Sequence, residues 1–111
     1  MITLYLRYTI DPNKFSAFEK YVAEEQQAIT ESGGKVAGYY VPTDFSGATN
    51  EGFGLIDFPS LAEYEKYRAK LANHPLHKEN AVALEKSGAL LSIYRALIQK
   101  VEPRSKNAGR G

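Results

Sequence analysis

Residues Ile10 to Ala23 recur 46 positions later as Ile56 to Ala69, and the recurrence preserves chemical character at spaced positions. Ile10 matches Ile56, Asp11 matches Asp57, Phe15 matches Leu61, Phe18 matches Tyr64, and Glu19-Lys20-Tyr21 returns as Glu65-Lys66-Tyr67. A period of this length is that of one strand-helix-strand unit, so the chain reads as a duplicated half-domain. Positions that are apolar in one copy and charged in the other have left packing duty. The clearest is Val22 against Arg68.

The elements follow from hydrophobic period. Ile2, Leu4, Leu6, Tyr8 and Ile10 alternate with polar or aromatic residues, the pattern of a strand with two different faces. Asp11-Pro12-Asn13 breaks it, and Phe15, Phe18, Val22 and Ile29 then recur at helical spacing until Ser32 and the stop Gly33-Gly34. Lys35 to Val41 and Gly52 to Phe58 read as two strands of a hairpin, joined by a polar loop from Pro42 to Thr49. Ser60-Leu61-Ala62-Glu63 has capping-box spacing and opens a second helix that runs to about Ala72. Pro75 opens a short third helix to Lys86. Ala89 to Ile98 closes the chain's regular structure as a fourth strand.

The order is βαββαβ with one extra helix: an α+β, ferredoxin-like arrangement with an antiparallel sheet and its helices on one face. Strand four is apolar on both faces, with Leu91, Ile93 and Leu97 expected opposite Leu90, Tyr94 and Ile98. One helical layer cannot bury both. A second copy of the sheet is the expected cover, making the protein a homodimer joined sheet to sheet.

At 111 residues the chain is one domain by length, expected over residues 1–101, with residues 102–111 a disordered tail. The net charge is +1, but the last ten residues hold three of the 14 basic and one of the 13 acidic side chains; without them the balance is −1. A body so near neutrality gives no electrostatic reason to expect nucleic acid or a membrane surface as a partner. No apolar run approaches the ~18 residues of a membrane span, and no secretory leader pattern stands at the start, so a cytoplasmic address is expected. With no cysteine, thiolate catalysis and cysteine-ligated metal are excluded. Gly52-Phe53-Gly54 sits in a strand and Gly33-Gly34 follows a helix, so neither cradles phosphate, and no cofactor is expected.

The run from Ser60 to Pro75, a helix that opens Ser-Leu-Ala-Glu and closes Leu-Ala-Asn-His-Pro, resembles the second-helix signature of the NIPSNAP family. Tyr8 to Lys14 resembles that family's first strand and turn, and Gly38-Tyr39-Tyr40 its second strand. The resemblance covers roughly residues 2 to 98 and implies a dimeric α/β barrel. It departs from the family pattern where His74 replaces the Asp of the Asp-Pro pair and His77 replaces an aromatic residue. Related dimeric barrels include cofactor-free monooxygenases, haem-degrading enzymes, isomerases and non-catalytic stress proteins. The resemblance therefore implies either a small-molecule-binding domain, of the cofactor-independent isomerase or monooxygenase type, or a non-catalytic homodimeric interaction protein.

Within this frame a few residues are candidates for chemistry. Arg68 falls inside the stripe Leu61, Tyr64, Leu71, where its planar fork would hold a carboxylate or enolate oxygen; the alternative is a stem laid on the core with the head in solvent. Glu25 falls between Val22 and Ile29 on the inward side of helix one and is a candidate to move a proton, against the alternative of a structural ion pair, for which Arg68 is within reach across the helix interface, or a carboxylate at the rim. His77 shares a face with Ala81 and Leu84 and is the best general acid or base available, against the alternative of a packed, hydrogen-bonded histidine. His74 stands where a helix cap is expected and is a candidate ligand contact. Tyr39 and Tyr40 point to opposite sheet faces, so only one can face the helices, and with Tyr5 and Tyr94 these are candidates to add hydroxyls to a cavity holding a small aromatic or carboxylate ligand, against the alternative, favoured for most of the tyrosines, of packing filler. His74-x-x-His77 lacks a third ligand, so no bound metal is expected.

Overall fold

The computed structural model describes residues 1–104. Residues 105–111, most of the expected tail, lie outside the described residues, and 102–104 follow the last strand without regular structure. Strand β1 spans Ile2–Ile10, helix α1 Phe15–Glu31, β2 Lys35–Tyr40, β3 Glu51–Phe58, α2 Leu61–Ala72, α3 Pro75–Ser87 and β4 Leu90–Gln99. The strands form one sheet in the order β2-β3-β1-β4, antiparallel at every pair. This is the ferredoxin-like arrangement, with α3 as the added element. Offset by 46, the two repeats bring Phe15 and Leu61 to the first residue of α1 and α2.

Element boundaries have local causes. The Asp11 carboxylate accepts from the Asn13 amide at 3.0 Å and turns the chain out of β1. After α1 the backbone takes φ 109° at Gly33, a conformation that side chains disfavour, and the helix ends. The Ser60 hydroxyl accepts from the Glu63 amide at 3.3 Å, while the Glu63 carboxylate turns outward to Lys66 at 3.1 Å; the capping box is half made. His74 caps α3: its Nδ1 accepts from the Leu76 amide at 3.1 Å, and Nε2–H donates to Glu31 at 2.7 Å.

The core lies between sheet and helices. Leu4, Leu6, Tyr8 and Ile10 of β1 meet Ile56 and Phe58 of β3, with Phe18 and Ile29 of α1 packed on them. Tyr39 lies over Gly54 on the helix side, where an added Cβ would come within 2.6 Å of the ring. The glycine is what lets that tyrosine lie flat across the sheet. On the other face Tyr5 stacks on Phe53 at 6.3 Å and meets Tyr94 edge to face at 6.1 Å, and Arg7 sits 5.1 Å over the Tyr94 ring. Leu91, Tyr94, Leu97 and Ile98 of the edge strand β4 are all exposed in the single chain.

One facing expectation is corrected. The register slips between Thr9 and Ile10, so that Ile10 pairs with Leu90 and Thr9 with Ser92. This bulge brings Leu90 to the helix side with Ile93, not to the Tyr94 side. Strict alternation misses it because a bulge leaves no mark in hydrophobic period.

Candidate functional site

The helices do not cover the sheet evenly. α3 packs along α1, whereas α2 touches α1 and β3 at only a few points. A half-open cavity of about 320 Å3 fills the gap, at the lower end of small-ligand sites. Leu4, Leu6 and Tyr8 form its floor. Tyr21 and Glu25 enter from α1, Tyr67 and Arg68 from α2, His77 from α3 and Arg95 from β4.

Glu25 is 2% exposed, and a buried carboxyl group is costly unless each oxygen is bonded. Three donors meet it. Oε1 accepts from Asn80 Nδ2 at 3.2 Å, and Oε2 accepts from the Tyr21 hydroxyl at 3.2 Å and from His77 Nδ1. A carboxylate only accepts, so the imidazole proton sits on Nδ1 and the free lone pair on Nε2. Nε2 has no hydrogen-bond partner among the described residues, and the ring lines the cavity. Tyr21 reaches Glu25 across one helical turn, and Asn80 follows His77 by three on α3, so two helices lock the carboxylate.

Five phenols share the cavity with this pair: Tyr8, Tyr21, Tyr39, Tyr64 and Tyr67. The Tyr8 and Tyr39 hydroxyls lie 3.3 Å apart. Burial raises the pKa of Tyr8, Tyr21, Tyr39 and Tyr67 well above 10, and the Glu25 carboxylate adds to the rise at the last three. All four are therefore neutral donors across the physiological range. Arg68 from α2 and Arg95 from β4 both line the cavity, and among the described residues neither forms an ion pair. The cavity lining thus carries two guanidiniums without an ion-pair partner and one carboxylate that already has three donors.

The sequence-derived candidates divide into two groups. Glu25, His77, Arg68 and Tyr39 meet at the cavity. Tyr40 and Tyr94 lie on the other sheet face, opposite Phe53 and Arg7, and His74 is occupied as the α3 cap and Glu31 partner outside the cavity. The pairing of Glu25 with Arg68 is corrected: α3 lies against α1 and supplies His77 first. The inward residue of α2 is Tyr67, 4% exposed, while Leu61 is 49% exposed and Arg68 lines the cavity from an exposed position. Tyr8, Tyr21, Tyr67, Asn80 and Arg95 were not singled out. Tyr21 and Tyr67 occupy the same place in the two repeats and flank the same gap, and Glu25 in one copy corresponds to Leu71 in the other, which also lines it. Arg95 carried a signal too, as the charged residue that shares a strand face with Ile93 and Leu97. No group of three or more histidine or acidic side chains able to hold a metal ion occurs among the described residues, and no described helix is long and apolar enough to cross a membrane.

A ferredoxin-like sheet with a polar cavity beneath uneven helices defines a broad class of α+β domains, and comparison narrows it. The chain belongs to the NIPSNAP family, whose model matches residues 5–103. Its fold is similar to that of a NIPSNAP family protein from Agrobacterium tumefaciens, with a TM-score of 0.74 at 24% identity, covering 91% of this chain and 93% of that one. An uncharacterized NIPSNAP domain protein from Burkholderia xenovorans gives 0.76 at 17%, covering 91% and 95%. SnoaB, a cofactor-independent oxygenase from Streptomyces nogalater, gives 0.62 at 14%, covering 92% and 94%. At these identities the likeness is one of fold. By sequence, no curated protein matches.

Proposed function

We propose that the cavity binds a small carboxylate bearing a carbonyl and that His77 moves a proton on it without a cofactor. The observation that supports this most is the buried Glu25 bonded to His77 Nδ1, which leaves Nε2 as a base against the cavity. Nε2 takes the proton from the carbon beside the carbonyl, and the C–H electron pair passes to the carbonyl oxygen. The neutral phenols and Arg95 then hold the enolate oxygen, as preorganised donors do where charge develops. Arg68 holds the carboxylate. Enolisation of this kind serves isomerisation or cofactor-independent oxygenation, the second being the reaction type of SnoaB.

Solvent deuterium exchange at C3 of pyruvate, followed by proton NMR, tests the proposal. Catalysed exchange is expected; if pyruvate at millimolar concentration neither binds nor exchanges, the proposal falls.

The open sheet face supports a homodimer. Tyr5, Phe53 and Tyr94 form an aromatic patch on the same face as exposed Ile98, a surface of the kind that is covered in stable assemblies. Analytical ultracentrifugation at micromolar concentration is expected to give a species of twice the 12.3 kDa chain mass. A non-catalytic interaction role would rest on this same face. A species at the monomer mass alone would remove both the dimer and that role.

A further inference from the structure

A second cavity of about 350 Å3 opens beside the first, between α3 and β4. The two share Tyr8, Tyr21, His77, Ile93 and Arg95, so the histidine and one arginine stand at their junction. Beyond the junction the chambers differ. The first carries Arg68; the second is walled by Ala81, Leu84 and Leu90 and carries the carboxylate of Glu85. Leu90 is there because of the bulge between Thr9 and Ile10.

Resting on the proposed enolisation, we infer that the ligand is an amphipathic 2-oxo acid, with its carboxylate toward Arg68 and an unbranched apolar arm in the second chamber. Aliphatic side chains line both chambers, so the orientation rests on charge. Glu85 repels a carboxylate from the second chamber, while Arg68 attracts it to the first, so the charges fix one orientation. The carbon beside the carbonyl, where the arm begins, then lies at the junction with His77. Ala81 limits the arm. It is an exposed helical residue on the chamber wall, so a larger side chain there narrows the chamber without entering the core.

The test compares pyruvate with 2-oxooctanoate by titration calorimetry and by C3 deuterium exchange, on the wild-type chain and on Ala81→Leu. Burial of a methylene group tightens binding by about fourfold, so the wild type is expected to bind 2-oxooctanoate at least ~10-fold more tightly than pyruvate. In Ala81→Leu the ratio of the two affinities is expected to fall to about one. Equal wild-type affinity for the two acids, or an unchanged preference in Ala81→Leu, overturns the two-chamber inference and leaves the enolisation standing. If neither acid binds or exchanges with the wild type, the enolisation falls and this inference with it.

Discussion

His77→Gln is expected to slow C3 exchange by about 10²- to 10⁴-fold, the usual contribution of a positioned general base. The substitution is chosen because the glutamine amide keeps a donor within reach of Glu25, whose carboxylate otherwise loses one of three partners in a buried setting. The stability change is therefore expected to stay under about 1.5 kcal/mol, the net worth of one hydrogen bond. Activity and stability separate in this variant. Glu25→Gln is expected to give a smaller fall in exchange, because it removes only the group that fixes the ring's tautomer and orientation and leaves the base itself in place. Exchange that persists in His77→Gln at the wild-type rate would show that Nε2 is not the base.

Alkaline titration is expected to unfold the protein cooperatively. The sign follows from Tyr8 and Tyr67, which are buried, and Tyr21 and Tyr39, which are partly buried; the pKa values of all four in the folded chain stand above 10. Below pH 10 both folded and unfolded chains keep these protons, so the stability is fully present. Above it the unfolded chain releases protons that the native chain holds, and each such phenol costs at most roughly 1.4 kcal/mol per pH unit. Four phenols, discounted for partial exposure and mutual coupling, remove about 3 to 5 kcal/mol per unit. Two units then approach the ~5–15 kcal/mol that holds a domain of this size together. Phenolate absorbance should reach its full amplitude only as the helical circular dichroism is lost. If the absorbance of all eight tyrosines developed while the helices persisted, the cavity's phenols would not be buried as described.

The elements were legible in the sequence because their signals are local. Period-two alternation placed β1, Gly33-Gly34 stopped α1, and Pro75 opened α3 within a residue of its observed start. Glu25 and His77 were legible as polar residues on inward faces. Their pairing was not, since it depends on which helix lies closer to α1, and nothing in the spacing says that α3 rather than α2 does. Tyr40 and Tyr94 show the limit of reading a hydroxyl without its sheet face: alternation separates Tyr39 from Tyr40 but cannot say which side the helices cover. Arg68 was drawn inward by the repeat, because its counterpart Val22 is buried, yet α2 is rotated so that Tyr67 takes the core contact.

The two repeats supply the cavity with a matched pair of tyrosines, one on α1 and one on α2. What distinguishes the walls is two exchanges, Val22 for Arg68 and Leu71 for Glu25, one charge gained on each copy and of opposite sign. A duplicated half-domain thus starts with redundancy built in: each helix can carry a charge toward the void while its twin keeps an apolar residue against the sheet. Chemistry enters such a scaffold one side at a time, and the copy that stays apolar insures the fold while the other one changes.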